Sequence, residues 1–319
     1  MKVLVPLNNI DHLSDYRKAG AGEYYLGFHC DSWQEKFGDY ADLNRLTGFR
    51  KSANPHSFQE VLEIVKEGKI THLPIYILFN SSLYSKEQLE WVESYMKQLK
   101  EVEVEGVIVS CYELLILAKK IGLFAVISTI AGVYNEDIAR FYQEHGADRI
   151  ILPRDLSVDE IEDIVHKVPK VEYEVFMMRN GCAFSDSNCL GMHRNELPSI
   201  CGSLRNSKIT ANITEQDRYD PKEAQTNNQL YCKEFHNIAC GLCSIYRFVR
   251  LGIAAAKIVG RSDEWENICN YISLVKQNVE IAKSCTSHDE YLSKMVWPIN
   301  HVEVCRAGLS CYYPEMRFD

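Results

Sequence analysis

The chain has 319 residues, 46% hydrophobic and 25% charged, an ordinary globular mixture long enough for one large barrel or two average domains. A formal charge of -9 argues against a general polyanion binder, leaving nucleic acid as a minority reading that rests on a local basic patch. Met1 to Leu7 is a short apolar run broken by Pro6, unlike a signal peptide, and the longest apolar run, Leu73 to Phe79, is far too short to span a bilayer.

Taken in order, short β-rich runs alternate with amphipathic helices. Lys2 to Pro6 predicts a first strand, His12 to Ala19 a helix and Glu23 to Gly27 a second strand, followed by a polar, aromatic loop. The next helix is expected with Asn54 as its cap, Pro55 at its first position, Phe58, Val61, Leu62 and Val65 on its apolar face, and Gly68 as its stop. Leu73 to Phe79 reads as the third strand, and Ser85 with Gln88 forms a capping box before a helix facing inward with Leu89, Val92, Met96 and Leu99. Gly106 to Val109, Leu123 to Ile127 and Arg149 to Leu152 are strands four to six. Between them fall a helix over Glu113 to Lys120 and one capped by Asn135, which is expected to bury Ile138, Phe141 and Tyr142 and to stop at Gly146. A second capping box, Ser157 with Glu160, opens the helix before strand Val171 to Met178.

Residues 179 to 235 then break the alternation, polar, turn-rich and too long for an ordinary connection, and are read as a functional insertion. A helix near Leu242 to Leu251, a strand at Ala255 to Val259 and a long helix from Asp263 to Ala282 complete the series. Eight strands alternating with helices predict an α/β, (β/α)8 TIM-barrel-like single domain over residues 1–285, with a cysteine-rich metal-binding insertion, 179–243, after strand seven and a tail, 286–319, packed on the barrel. Reactive residues are then expected in the loops after the strands.

Half of the twelve cysteines fall between Glu172 and Arg261: Cys182, Cys189, Cys201, Cys232, Cys240 and Cys243. A soluble, cytoplasmic protein is expected, and in that reducing setting cysteines point to metal, redox chemistry or core packing ahead of disulfides. About four thiolates converging from turn-rich loops suit an iron-sulfur or metal centre, and Gly181, Ser185, Asp186, Ser187, Asn188, Gly191, Pro198 and Gly202 supply the turns. Cys240-x2-Cys243 also suits half of a zinc site or a redox pair, although the chain has no second Cys-x2-Cys. Any one cysteine taken alone reads as a small core hydrophobe. Cys269, on one helical face with Trp265, Ile268 and Ile272, is such a case, whereas Cys30 and Cys111 follow strands two and four toward the same mouth. Cys305 and Cys311 sit in the tail beside Tyr312, Tyr313 and Pro314.

Glu174, in a buried strand near these thiolates, is the first candidate for proton transfer, the alternative being a carboxylate paired with Arg179 or Arg154. His193 is a second candidate, set against a solvated loop histidine. Arg154 and Arg261 close strands six and eight, where they would bind an anionic substrate or pair with neighbouring aspartates. The chain carries no His-Glu-x-x-His, no Gly-x-Ser-x-Gly and no phosphate loop ending in Gly-Lys-Ser/Thr.

Tyr25-Leu26-Gly27, Ser128-Thr129 with Asn135, Gly146-Ala147-Asp148-Arg149, Arg154-Asp155-Leu156-Ser157, Glu174-Val175-Phe176 before Cys182, and Lys257-Ile258-Val259-Gly260-Arg261 follow one another along most of the chain. In order and spacing they resemble peptidase family U-32, the collagenase-like family. That resemblance implies an oxygen-sensitive 4Fe-4S cluster supporting hydroxylation without molecular oxygen, of ubiquinone precursors or of RNA bases, with prephenate as oxygen donor in some members. It places Cys182, Cys189, Cys201 and Cys240 as the cluster ligands, with Cys30 in reserve; Tyr25, Arg154 and Arg261 are the residues expected at the substrate. The expectation is an iron-sulfur oxidoreductase acting on a small anionic or aromatic substrate, with tRNA or rRNA base hydroxylation and peptidase activity as alternatives, and a second U-32 subunit as a possible partner. Departures from the family pattern are Met178 and Arg179, where a histidine and a glycine are frequent, Val259 in place of a glutamate, and an early third cysteine.

Overall fold

The computed structural model describes residues 1–38, 42–44, 53–55, 57–182, 185–188, 239–298, 305 and 311–316. Cys189, His193, Cys201 and Cys232, and with them most of the expected insertion, lie outside the described residues.

Eight strands form the centre: β1 (Lys2–Pro6), β2 (Glu23–Leu26), β3 (Ile75–Phe79), β4 (Gly106–Val109), β5 (Phe124–Ile127), β6 (Arg149–Ile151), β7 (Glu172–Met178) and β8 (Ala255–Ile258). Each pairs in parallel with the next and β8 returns to β1, closing the expected barrel. Parallel strands covered on both faces read as continuous apolar runs, as IYILF in β3 and GVIV in β4 do. The helices are α1 (Leu13–Ala19), α2 (Asp31–Phe37), α3 (Phe58–Ile70), α4 (Lys86–Glu101), α5 (Tyr112–Ile121), α6 (Glu136–Glu144), α7 (Val158–Lys167), α8 (Ile245–Leu251), α9 (Trp265–Ser284) and α10 (His288–Lys294). Both expected capping boxes form, Ser85 with Gln88 on α4 and Ser157 with Glu160 on α7. No helix among the described residues is long and apolar enough to cross a membrane.

Local signals misled at four places. The cap of α3 is Ser57, whose hydroxyl accepts from Glu60 N at 3.2 Å, while the Asn54 amide is spent on Arg261. Gly68 does not stop α3; it lies inside the helix, where Ile75 packs so closely that a β-carbon has no room. The aromatic stretch after β2 contains α2, a helix of seven residues that buries Trp33 and Phe37 one turn apart. On α6 the buried residues are Ala139 and Tyr142, whereas Phe141 is 42% exposed and makes tilted ring contacts with Tyr112 and His145.

The barrel interior carries charge. At the start of β6, Arg149 reaches across to β2, a strand it does not neighbour, donating to both Glu23 oxygens at 2.6 and 3.1 Å. It also donates to Glu172 at 2.9 Å, and Lys2 donates to Glu23 at 2.8 Å. Burial pushes the Glu23 carboxyl up, but its bonds to Arg149 and Lys2 outweigh this and hold it below the ordinary range. This bidentate pair bolts the foot of the barrel.

Candidate functional site

Above the bolt, alternate positions of β7 carry Glu174 and Phe176 toward the same face. Glu174 is fully buried; Lys257, on neighbouring β8, donates to its Oε1 at 2.8 Å, and Arg149 Nη1 lies 3.8 Å from its Oε2. Neither Arg154 nor Arg179 is the partner expected from the sequence: Arg179 pairs with Asp263 at 2.8 Å and Arg154 with Asp186 at 2.8 Å. The Lys257 ammonium also sits 4.1 Å above the ring of Tyr25, whose hydroxyl donates to Ile258 O at 3.0 Å. Burial pulls the Lys257 pKa below its ordinary value, with Glu174 opposing, and burial raises that of Tyr25. Lys257 was visible in sequence as a charge in the middle of an otherwise apolar strand, AAKI, yet the signal names no partner.

The C-terminal end of β7 is where the chain departs for the cysteines. Arg179 and Asn180 both take left-handed backbone, at φ 68° and 45°, and so turn the chain out of the strand toward Cys182. Residues returning at Ala239 pair antiparallel with that strand end: Arg179 N donates to Ala239 O at 2.7 Å and Gly241 N to Met177 O at 2.9 Å, which sets Cys240 opposite Met178. The tail adds a third layer, since Tyr312 N donates to Cys240 O at 2.9 Å and Cys311 bridges Cys240 in parallel. Tyr312 donates through its hydroxyl to Arg179 O and stacks on Phe176 with centroids 6.1 Å apart, while the Tyr313 hydroxyl donates to Phe176 O at 3.0 Å. Burial raises the Tyr312 pKa, Arg154 opposes, and Asp186, Cys182 and Cys240 add to the rise, so both described cysteines of the expected set act on one hydroxyl.

Burial also pushes the Cys240 thiol up, the Leu242 N–H opposes, and Cys243, Cys305 and Cys311 reinforce the rise. Among the described residues, no three His, Cys, Asp or Glu side chains stand as a group that could hold a metal ion. Cys30 engages the Tyr95 hydroxyl at 3.1 Å and the Ser32 hydroxyl at 3.2 Å. Cys111 precedes α5, and burial raises its thiol to about 11. Cys269 is partly buried and packs against the core.

Arg261 follows β8 and is buried. It donates to Asn54 at 2.7 Å and to Asn44 at 3.2 Å, and its carbonyl accepts from Asn8 at 2.7 Å, so it gathers the loops after β1, β2 and β8. Gly27 permits this, because a β-carbon there would collide with Arg261, Asn54 and Asn44 together. The structure thus groups Tyr25, Glu174, Arg154, Arg261, Cys182 and Cys240 in the interior and mouth of one barrel. Sequence reasoning missed Lys257, Asp186, Asn44 and Tyr312, and it read Asn54 as a cap.

The sequence profile of peptidase family U32 matches residues 8–315. Among curated proteins, tRNA hydroxylation protein P1 of Bacillus subtilis is 23% identical over 309 residues, covering 93% of this chain and 66% of that protein. An uncharacterized protease of Methanocaldococcus jannaschii is 27% identical over 205 residues, covering 61% and 46% respectively. A solved U32 peptidase is 21% identical, with a TM-score of 0.44 over 56% of this chain and 69% of its own. The chain therefore spans 66% of the first curated relative and 46% of the second. A profile match running from residue 8 to residue 315 of 319 establishes that the chain belongs to peptidase family U32.

Proposed function

We propose that this chain is an iron-sulfur protein supporting oxygen-independent hydroxylation, and that its substrate is a tRNA base. The observation that carries the reading is the pairing of Cys240 with the end of β7, the strand that runs on into Cys182. Two soft sulfur donors far apart in sequence are thereby held at one mouth, the donor chemistry that iron-sulfur clusters take. Cys182 and Cys240, with Cys189 and Cys201, would hold a 4Fe-4S cluster, which when bound supplies one-electron transfer. Zinc on the same sulfurs is the alternative occupant.

The chain's own residues have separable parts in this reading. Lys257 donates to Glu174 inside the barrel, and its ammonium lies over the Tyr25 ring. Glu174 is accordingly an electrostatic anchor before it is a proton donor, and His193 is the remaining candidate for proton transfer. A tRNA base is favoured over a small anionic metabolite on two grounds. Arg154 and Arg261 already serve internal partners, and the Bacillus subtilis relative and an Escherichia coli relative, 38% identical over 64 residues, both carry the name tRNA hydroxylation protein. The peptidase reading has the Methanocaldococcus jannaschii relative's name in its favour but no nucleophile-base motif in the sequence.

The test is iron and acid-labile sulfide content of anaerobically purified protein. About four of each per chain, with absorption at about 400 nm that bleaches on dithionite, is expected. Cys182→Ala and Cys240→Ala should each lose the iron while Cys269→Ala keeps it. Zinc without sulfide in the wild type, or full iron in Cys240→Ala, would overturn the assignment.

A further inference from the structure

Arg154 stands just past β6, and its guanidinium grips the chain on both sides of Cys182. It donates to the carbonyl of Asn180, ahead of the cysteine, and lies 2.8 Å through Nε from Asp186 Oδ2, behind it. The second contact is charge against charge, the N–H being out of line for a hydrogen bond. The flat face of the group covers the Phe176 ring at 4.1 Å, so one side chain touches the strand, the turn and the loop that carry the cysteine. Both partners are enclosed, with side-chain exposures of 11% for Arg154 and 1% for Asp186. The loop is fastened elsewhere as well: the Thr129 hydroxyl donates to Asp186 at 3.4 Å, and the Ser185 and Ser187 hydroxyls meet that of Tyr134.

We propose that Arg154 and Asp186 are positioning residues which brace the Cys182 segment against the mouth of the barrel, so that Arg154 sets the cluster's geometry and is not a clamp for a substrate carboxylate. The consequence for iron rests on the cluster reading above; the brace itself does not. An arginine suits this place because its planar group hydrogen-bonds one partner and faces the charge of another while its flat face packs on an aromatic ring, which a lysine cannot do. A substrate carboxylate at this position would have to displace Asp186 from a buried ion pair.

The experiment compares wild type with Arg154→Gln, Arg154→Lys and Asp186→Asn. Hydrogen exchange of the segment carrying Cys182 and Asp186 is followed in metal-free protein. Iron loss to a chelator and the paramagnetic resonance line shape after dithionite are followed in anaerobically reconstituted protein. Arg154→Gln and Asp186→Asn are expected to speed exchange in that segment while β1 to β4 keep wild-type protection. Both should lose iron about tenfold faster and alter the line shape, with Arg154→Lys falling between them and wild type. Wild-type exchange and iron-loss rates in Arg154→Gln would overturn the brace even if the cluster is present. A wild type that takes up no iron or sulfide would overturn the cluster reading alone, because exchange in the metal-free protein still decides the brace.

Discussion

Replacing Lys257 with methionine tests the charged interior most directly. The ammonium lies 2.8 Å from a carboxylate that is fully buried, so its removal leaves Glu174 with Arg149, at 3.8 Å, as its nearest remaining ion-pair partner. Breaking a buried pair from one side costs about 3–5 kcal/mol, and the surviving Arg149 contact puts this case near the lower end, about 3 kcal/mol. Glu174→Leu should cost a similar amount by stranding Lys257 beneath Tyr25. The double variant removes both charges, and Arg149 keeps Glu23 and Glu172, so it should recover about 2–3 kcal/mol of the summed single losses. Urea unfolding followed by circular dichroism and tryptophan fluorescence gives the three differences. A loss below about 1 kcal/mol for Lys257→Met, or strict additivity in the double variant, would refute the coupling.

Alkaline pH should unfold the protein over a narrow range. Burial raises the pKa of Tyr16, Tyr24, Tyr25, Tyr76 and Tyr291 above the ordinary 10.0, so above pH 10 the unfolded chain ionises where the folded chain does not, and stability falls as pH rises. At pH 11 each tyrosine costs about 1.4 kcal/mol and the five about 7, comparable with the whole stability of a domain. Lys257, depressed by burial, works in the opposite direction but is one group against five. The chain has 18 tyrosines and the exposed ones ionise first, so the remaining rise in tyrosinate absorbance should coincide with the loss of ellipticity; complete tyrosine ionisation before unfolding would show that the buried hydroxyls are open to solvent. Gly27→Ala should cost about 1–3 kcal/mol by pushing Arg261 off Asn54 and Asn44, seen as a lowered urea midpoint. An unchanged midpoint would mean that the Arg261 junction yields freely.

The barrel was legible because each strand is a short run of β-formers and most helices announce their own start, as Ser85-Gln88 and Ser157-Glu160 do. Where tertiary contacts compete with local signals, the local signals fail. Asn54 before Pro55 looks like a helix cap, but a buried guanidinium claims its amide. Seven residues are too few for α2 to show a period, and its helicity follows from seating Trp33 and Phe37 in the core. At the site, the cysteines were conspicuous in sequence, but Cys240 is set beside the end of β7 by a backbone pairing with Met178 that no spacing encodes. Glu174 and Lys257 were each visible as charges within strands, and only the register of β7 against β8 makes them partners.

The bolt between Arg149 and Glu23 bears on how the barrel comes together. It joins β6 to β2, so a fragment holding only β1 to β4 keeps a buried carboxylate whose main counter-charge is on the other half, and a fragment of β5 to β8 keeps the matching guanidinium. Each half keeps one partner, Lys2 for Glu23 and Glu172 for Arg149, but forfeits the buried bidentate bond, so each is less stable until the other arrives. The two halves are therefore expected to gain protection against hydrogen exchange together during refolding, as a single cooperative unit and not as a stable half-barrel completed later. Ahead of any chemistry at the mouth, a charge pair at the opposite end makes the barrel indivisible.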